Sequence, residues 1–439
     1  MTNQTASPFA TQPAQRTTAR LFAAIRGGAS PGQLPGYRSR HPQPLVARPG
    51  RPDLRVVDAV ERSGLRGRGG AGFPTGRKLR TVGAGKDVPV VVINATEGEP
   101  TSHKDHLLAE RGPHLLLDGA AWAAAAVGAD RILVCIDRED GDAVRSLQAA
   151  VAERRHLEPG NVPVEVRGTP PRYVAGEETA LVHWINGGEA KPTVTPPRPF
   201  EKGVDGRPTL INNAETVCHL ALIAEEGPEW FREVGAEDEP GTCLVTITGS
   251  VAHPGVVEAG VGSPLDQVVR AAGGLTEPAS AVLVGGYFGA WLPASALTSA
   301  RLSNAGLAPH GAALGCAAVF VLPASGCGVL ESARVLDWFA YESAGQCGPC
   351  VHGLAAIAAG MHDLVLPGHS APGPLERWAG EVERRGACAM PDGAARFLRS
   401  TLRVFGPHLE DHRRGHPCGA SQQPGLVPIP TRIGEPRWR

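Results

Sequence analysis

The middle of the chain alternates continuous apolar runs with stretches of helical periodicity. Val88–Ile93 is a β-branched run typical of a buried strand, and Arg131–Ile136 and Val162–Arg167 have the same character. Helical periodicity surrounds these runs, in Asp53–Ser63, His114–Val127, Asp142–His156, Glu177–Trp184 and Ala214–Glu226. Strands that alternate with helices predict an α/β domain over residues 51–240, with a mostly parallel sheet covered on both faces.

The pattern changes after residue 240. Short strand-like and helical segments predict a small α+β domain over residues 241–325: Thr242–Gly249, Gly255–Glu258, Leu265–Ala272 and Ala281–Val284. Residues 326–412 have helical periodicity and predict a bundle, from Val329–Glu342, Val351–Leu364, Pro374–Arg385 and Asp392–Phe405. Residues 1–50 and 413–439 are rich in proline and polar residues, and apart from a candidate short helix at Ala19–Ile25 we expect both to be flexible.

Charge and composition exclude several classes of protein. The 439 residues have a formal net charge of −1, which favours neither nucleic acid nor an anionic membrane. The longest apolar stretch, Leu115–Val127, contains Asp118 and is too short to cross a bilayer, so we expect no direct membrane insertion. No signal peptide opens the chain and the nine cysteines form no disulfide pattern. We therefore expect a cytoplasmic protein, at most peripheral to a membrane complex.

A glycine-rich loop over residues 63–78 follows the first helix of the α/β domain. Gly67, Gly69 and Gly72 satisfy the dinucleotide spacing G-x-G-x-x-G, but a helix precedes them instead of the strand that this motif requires. Glycines let backbone N–H groups approach an anion closely, and the loop adds four cations, Arg66, Arg68, Arg77 and Lys78. The loop is thus a candidate anion site, with a mobile surface loop as the alternative.

Polar residues also stand at three points where a strand or loop leads into a helix. They are Glu97 and Glu99, Glu177 and Glu178, and Asn212 and Asn213. Ordinary helix capping explains each pair by itself. The first pair follows a predicted strand, however, and ligands of open α/β sheets bind at the carboxyl ends of strands. Together with the glycine-rich loop, the pairs indicate a site for a ring, ribityl or phosphate group.

Cys347 and Cys350 have C-x2-C spacing near the C-terminus. A cysteine at position 344 would complete a C-x2-C-x2-C run, which suits an iron–sulfur cluster, but that residue is Ala344. We expect four other cysteines to be buried structural residues, namely Cys135, Cys218, Cys243 and Cys316. Cys327 and Cys418 lie in predicted loops with no assigned role, and we expect no zinc site among the histidines.

These motifs resemble the flavoprotein subunit of NADH-quinone oxidoreductase, the NADH-oxidising subunit of respiratory complex I, over roughly residues 55–410. The motifs that carry the resemblance are Gly64–Gly76, Asn94–Pro100, Lys104-Asp105, Gly176–Ala180, Asn212–Thr216, Gly345–Cys350 and Cys388. The resemblance implies a Rossmann-like flavin domain, a ubiquitin-like β-grasp domain of the soluble-ligand-binding type, and a helical iron–sulfur bundle. It also implies hydride transfer from NADH to FMN, then one-electron transfer through the cluster to a ferredoxin-like or thioredoxin-like iron–sulfur protein.

The resemblance also implies roles for individual residues. Glu99 and Glu178 would shape the nicotinamide site as its catalytic residues. FMN would lie among Arg66, Gly67, Gly69, Gly70, Gly72, Lys78, Asn94, Glu97, Tyr173, Gly176, Glu177, Glu178, Asn212, Asn213 and Thr216. The four cluster ligands would be at positions 344, 347, 350 and 388, of which Cys347, Cys350 and Cys388 remain.

The departures from the family lie on the NADH side and at the cluster. Motifs that usually read Lys-Trp-Ser-Phe and Lys-Pro-Pro-Phe are Lys78-Leu-Arg-Thr81 and Thr195-Pro-Pro-Arg198 here. The changed residues hold the adenine and phosphate of NADH in relatives, and stacking on a base is worth about 1–3 kcal/mol. Three cysteines leave open a [3Fe–4S] cluster, a [4Fe–4S] cluster with a non-cysteine ligand, or no cluster. The alternative function is therefore a divergent paralogue that keeps FMN, has lost NADH oxidation, and serves as an electron-relay or scaffold subunit.

Overall fold

A parallel sheet lies at the centre of residues 51–240 in the structure, a computed structural model that describes residues 12–13, 19–26, 30–365, 373–414, 418, 424–430 and 438–439. Within these residues its strands lie in the order Val164–Thr169, Arg131–Asp137, Val90–Ala95 and Thr209–Asn213, all parallel. The first three match the predicted strands, whereas Thr209–Asn213 was not predicted. Val90 to Ile93 are completely buried because helices cover both faces of the sheet.

Helices surround this sheet where the helical periodicity indicated them, and shorter ones fill the loops. Their bounds are Leu54–Ser63, Thr75–Gly83, Lys104–Arg111, Pro113–Val127, Gly141–Leu157, Glu178–Ile185, Ala214–Glu226 and Pro228–Arg232, with 3-10 turns at Tyr173–Gly176 and Val204–Gly206. Local sequence sets their ends. Asp53 caps the first helix by accepting from the Arg55 amide, and Gly64 ends it at φ +71°, a conformation that favours glycine.

The second sheet, as far as the chain is described, joins strands of the α+β domain to one N-terminal strand. Its order is Gln12–Pro13, Gly255–Gly260, Thr242–Gly249, Ala318–Pro323, Ala279–Val284 and Ala290–Pro293. The central pair is parallel and is flanked by antiparallel neighbours, which is a β-grasp arrangement. The accompanying helices are Leu265–Ala271, Ala296–Ser299 and Asn304–Leu307, with a 3-10 turn at Ala308–His310.

The C-terminal bundle packs its aromatic core against both other domains. Its helices are Gly328–Glu342, Ala355–Val365, Gly373–Val382, Met390–Val404 and Gly406–Arg413, with a π-helical turn at Pro349–Leu354. Tyr173 of the α/β domain and Tyr287 of the β-grasp domain both meet Trp338 edge-on, with ring centroids 4.9 and 5.4 Å apart. The bundle therefore closes over the junction of the other two domains. No helix in the described ranges is both long and apolar enough to cross a membrane.

Described residues at both ends of the chain make specific contacts, so the expected flexibility does not hold for these residues. Leu21 and Phe22 of the helix Leu21–Arg26 are buried, and their amides donate to the carboxylate of Glu258 at 2.9 Å. At the other end, the amides of Leu426 and Val427 donate to Glu331 at 2.9 Å. Amino-acid composition did not predict these contacts because the partner residues are remote in sequence. The boundaries between domains remain predictions.

Candidate functional site

A cleft of about 720 Å³ lies where the carboxyl ends of the parallel strands meet the other two domains. Asn94 and Asn212 contribute to it from strand ends, Phe288 from the β-grasp domain, and Cys388 from the bundle. The predicted flavin residues that line it are Gly67, Gly69, Gly70, Gly72, Lys78, Asn94, Glu97, Tyr173, Gly176, Glu177, Glu178, Asn212, Asn213 and Thr216, together with Glu99. One fold thus brings together residues that are spread over about 150 positions of sequence.

The glycine-rich loop forms one wall because its backbone can run against neighbouring side chains. The amide of Arg68 donates to the hydroxyl of Thr216 at 2.8 Å. A Cβ on Gly69 would lie 3.2 Å from that of Asn213, and Gly70 adopts φ +109°, a region that L side chains rarely adopt. The loop is therefore fastened to the cleft, which excludes the mobile-loop alternative.

Arg66 is the predicted cofactor residue that the structure places beside the cleft instead of in its wall. It lines a small adjoining cavity together with Gly67 and Arg68. Its guanidinium donates to the carbonyl oxygen of Gly72 at 3.4 Å, so it stabilises the glycine-rich loop.

Glu97 organises the acidic loop by capping the helix Lys104–Arg111. Its carboxylate accepts from the amides of Lys104 and His106, each at 2.7 Å, and from the hydroxyl of Ser102 at 2.6 Å. Burial, followed by the charge of Asp105, raises the pKa of Glu97 to about 7. Its carboxylate is thus already engaged by the protein, which the sequence did not indicate.

Glu99 connects the α/β domain to the β-grasp domain at the cleft. Its carboxylate accepts from the hydroxyl of Thr101 at 2.6 Å, the amide of Tyr287 at 3.0 Å and the hydroxyl of Tyr173 at 3.3 Å. Burial raises the pKa of Glu99 above its usual range, although these hydrogen bonds favour the ionised form. The carboxyl is therefore held in one place on the cleft wall.

A buried charge network, of which Lys104 and Asp105 line the cleft, was missed as part of the site. Lys104 is 1 % exposed and contacts the carboxylates of Asp105 and Glu215, each at 3.0 Å. The side-chain Nδ2 of Asn213 donates to Asp105 at 2.6 Å, which ties the network to the cleft wall. Burial alone would raise the pKa of Glu215, but Lys104 and its other cationic neighbours outweigh burial and lower it to about 2. The adjacent Lys104-Asp105 pair in the sequence could have revealed it.

Helix capping, the alternative interpretation, describes Glu177 and Asn213 correctly, as it does Glu97. Glu177 accepts from the amide of Thr179 at 2.9 Å, and Asn213 accepts from the amide of Glu215 at 3.1 Å. Both nevertheless line the cleft. Glu178 forms an ion pair with Lys78, so these two predicted residues are partners.

Asn212 tests whether the cleft fits a flavin. It is 6 % exposed, and its side-chain Nδ2 is buried with no hydrogen-bond partner among the described residues. An unpaired buried donor costs about 1–3 kcal/mol. The ring edge of a flavin carries acceptor atoms that would pair with such a donor. The loop amides and Lys78 suit a phosphate, so the residues present fit FMN.

Three cysteines converge at the edge of the cleft. The thiol of Cys350 contacts Cys347 and Ser343 and accepts from the amide of Ala344. Cys388 lies close enough to Cys347 and Cys350 for their charges to raise its pKa. Burial raises the pKa of Cys350 to about 11 and that of Cys388 to about 12. A bound metal would therefore be needed to hold these sulfurs as thiolates. The group thus supplies three cysteine sulfurs as metal ligands, and Ala344 is buried beside them.

Cys316 also lines the cleft, which corrects the expectation that it is a buried structural residue. A Cβ on Gly286 would come within 2.8 Å of both its Sγ and the Glu99 carboxylate, so the thiol lies beside a predicted catalytic residue. The apolar residues that follow Cys316 in the sequence belong to the buried strand Ala318–Pro323, and they made Cys316 look buried as well. Cys135, Cys218 and Cys243 are buried as predicted.

Comparison with known proteins agrees with this geometry. Residues 60–222 match the Nuo51 FMN-binding domain, 244–286 the SLBB domain, and 331–412 the NADH-ubiquinone oxidoreductase-F iron-sulfur binding region. The NADH-quinone oxidoreductase F 2 subunit of Rhizobium meliloti (strain 1021) is 35% identical over 380 residues, 82% of this chain and 89% of that protein. NADH dehydrogenase [ubiquinone] flavoprotein 1, mitochondrial, of Dictyostelium discoideum is 32% identical, covering 84% and 81%.

A solved structure is similar as well. A chain of the NAD+-reducing [NiFe]-hydrogenase in the H2-reduced state aligns with a TM-score of 0.83 at 29% identity, covering 94% of this chain and 69% of that one.

The α/β cleft, the β-grasp domain and the cysteine-bearing bundle define an electron-transferring flavoprotein of the NADH dehydrogenase type. The chain belongs to the family of NADH-quinone oxidoreductase F subunits. The predicted fold class, activity, FMN and iron–sulfur region are thereby confirmed, as is its relation to subunits of larger redox complexes.

Proposed function

We propose that the cleft binds FMN with the predicted residues, admits NADH beside Glu99 and Glu178, and delivers electrons through the cysteine group to a ferredoxin-like or thioredoxin-like iron–sulfur protein. The observation that carries this proposal is the shared wall: Cys388 and the predicted flavin residues line the same cleft. Bound FMN would convert the two-electron donor NADH into a source of single electrons. No residue must act as acid or base in the hydride transfer, so the protein positions the rings.

The loop amides and Lys78 would bind the FMN phosphate, and Asn212 would donate to the ring. The Lys104–Asp105–Glu215 network lies beneath Asn213, which lines the cleft. Because the network is buried, it would keep that wall rigid and fix the local field. Glu99 and Glu178 would flank the nicotinamide, with Glu99 held in place by Thr101 and Tyr287.

The exit route would begin at Cys388, which lines the cleft and lies near Cys347 and Cys350. The proposed location is the cytoplasm, in a complex with the acceptor protein. Purified full-length protein mixed with an immobilised ferredoxin-like partner should form a complex in which NADH reduces the partner's centres. Absence of binding by the FMN-loaded protein would contradict the proposed partner while leaving the flavin chemistry intact.

Anaerobic reduction by NADH tests the activity of the site. FMN-loaded protein should lose its oxidised flavin absorbance on addition of NADH, whereas the Glu99→Gln variant should bind FMN and be reduced more slowly. Glu226→Gln, an exposed change outside the cleft, is the matched control. Flavin that stays oxidised at millimolar NADH would contradict the proposal.

A second candidate function, an electron relay that no longer oxidises NADH, is favoured by Arg198. This residue lines the cleft at the position where the resemblance places an aromatic side chain. In that case dithionite would reduce the flavin and the partner would accept its electrons, while NADH would leave the flavin oxidised.

A further inference from the structure

Four metal-ligating side chains gather at the N-terminal end of the helix Gly328–Glu342, and none of them lines the cleft. Cys327 caps the helix Gly328–Glu342, His408 and His412 lie one turn apart on Gly406–Arg413, and Cys418 follows that helix. One ligand atom from each lies within 4.8 Å of every other. The expectation of no zinc site among the histidines overlooked the H-x3-H spacing of His408 and His412.

The distances within this group match a tetrahedral zinc site. Bond lengths of about 2.0–2.1 Å to nitrogen and about 2.3 Å to sulfur place the ligand atoms of such a site about 3.3–3.8 Å apart. The two Nε2 atoms of His408 and His412 are 3.2 Å apart, and Cys327 Sγ lies 3.6 Å from His412 Nε2 and 3.9 Å from His408 Nε2. Three edges of the tetrahedron are thus already present, to within a few tenths of an ångström.

The surroundings keep the group together. Cys327 and His412 are 2 % and 1 % exposed, whereas His408 and Cys418 are half-buried. Nδ1 of His412 is buried without a hydrogen-bond partner among the described residues, so its ring makes its polar contacts through Nε2, toward Cys327 and His408. The amide of Leu330, in the first turn of a helix, donates to Cys327 Sγ at 3.5 Å and would stabilise a thiolate there.

We propose that Cys327, His408, His412 and Cys418 bind one Zn²⁺ as a structural site. Two thiolates and two neutral imidazoles are a donor set that zinc accepts in tetrahedral geometry, and four protein ligands leave no open position for substrate. Binding would displace the two thiol protons and leave every ligand bonded to the metal.

The site would fasten the C-terminal segment to the bundle and, through it, to the wall of the cleft. After Cys418 the chain places Leu426 and Val427 on Glu331, and the carbonyl of Pro428 accepts from the hydroxyl of Tyr287 at 2.6 Å. The amide of Tyr287 in turn donates to Glu99. A metal bound to Cys418 would fix the start of the C-terminal segment that makes these contacts.

Metal analysis of the reduced full-length chain tests the proposal. Wild-type protein should retain about one zinc per chain at this site after gel filtration. Cys418→Ser and His408→Ala, which change half-buried ligands, should weaken zinc binding in chelator competition at least about tenfold, because even changes outside the ligand shell cost 10–100-fold. His362→Ala, an exposed histidine of the same bundle, should bind zinc like the wild type.

Zinc held by the iron–sulfur cysteines must be distinguished from zinc at this site. The double variant Cys347→Ser/Cys350→Ser should keep its zinc, whereas adding Cys418→Ser should remove it. The chelator should also lower the melting temperature of the wild type and leave that of Cys418→Ser unchanged. Unchanged zinc affinity in both ligand variants, zinc lost only from the double variant, or a Cys327–Cys418 disulfide in freshly purified protein would each overturn the proposal.

Discussion

At the scale of single residues, Ala344 occupies the position where the resemblance implies a fourth cluster ligand. It is buried beside the three cysteines, and its amide donates to the thiol of Cys350. A cysteine in its place would add a fourth sulfur to a set that offers three. Nothing in the contacts of Ala344 explains why the ligand was replaced.

We expect Ala344→Cys to raise the iron content after anaerobic reconstitution to about four atoms per chain, because the fourth thiolate would complete a Cys₄ ligand set. EPR of the oxidised and reduced forms should show the corresponding change of cluster type. Cys243→Ala, which removes a buried thiol elsewhere, is the control and should leave the iron content unchanged. Equal iron and identical spectra in the wild type and Ala344→Cys would contradict the expectation.

Arg198 is the second informative residue, because it lines the cleft at the position where the resemblance places an aromatic side chain. Arg198→Phe should lower the KM for NADH about fivefold or more with little change in kcat, since stacking on a base is worth about 1–3 kcal/mol. Steady-state kinetics with an artificial acceptor would measure this. Lys202→Phe places the same ring on a nearby exposed position and should not lower KM. A change in kcat with an unchanged KM would contradict a role of position 198 in NADH binding.

At the scale of elements, the helix Lys104–Arg111 depends on a buried acid, and its stability should therefore vary with pH. The pKa of Glu97 rises from an ordinary 4.5 to about 7 in the folded chain. Between these values the folded form holds a proton that the unfolded form has released. The free energy of unfolding should therefore decrease as pH rises from 4.5 to 7, by an amount on the order of 2–3 kcal/mol.

Glu97→Gln removes this titration, so its stability relative to the wild type should increase over the same pH interval. Urea unfolding at several pH values would measure the difference. Glu381→Gln, at an exposed position of the bundle, should follow the wild-type profile. Parallel profiles for Glu97→Gln and the wild type would show that Glu97 does not titrate in this range.

At the scale of the whole molecule, described residues of the N-terminal segment are part of the core. Arg38 donates to Asp118 at 2.6 and 2.7 Å and also pairs with Glu158, while the hydroxyl of Tyr37 donates to Asp118 at 2.8 Å. Asp118 is completely buried and receives a second cation from Arg154. This network joins residues about 80 and 120 positions apart.

Arg38→Met should lower the free energy of unfolding by about 2–3 kcal/mol, somewhat less than the 3–5 kcal/mol typical of a broken buried pair, because Arg154 still neutralises Asp118. Chemical denaturation followed by circular dichroism would measure the loss. Arg40→Met changes an exposed arginine on the same segment and should cost less than about 0.5 kcal/mol. Similar stabilities for the two variants would mean that the segment is dispensable.

Contiguous motifs determined the family, the fold class and the cofactors from sequence alone. Strand runs such as Val88–Ile93 and the loop around Gly67–Gly72 are local, since a few neighbouring residues fix both the backbone and the chemistry. Nearly all of the predicted flavin residues therefore met in one cleft, with Arg66 just outside its wall.

Only the tertiary structure decided which side chains become partners across long separations. Glu97 and Glu177 cap helices, Lys104 pairs with Glu215, and described residues of both flanking segments contact the core. Cys327 meets Cys418 and the two histidines across about 80 to 90 residues. Burial of charge and gathering of ligands depend on remote contacts, which leave no periodic pattern in the sequence.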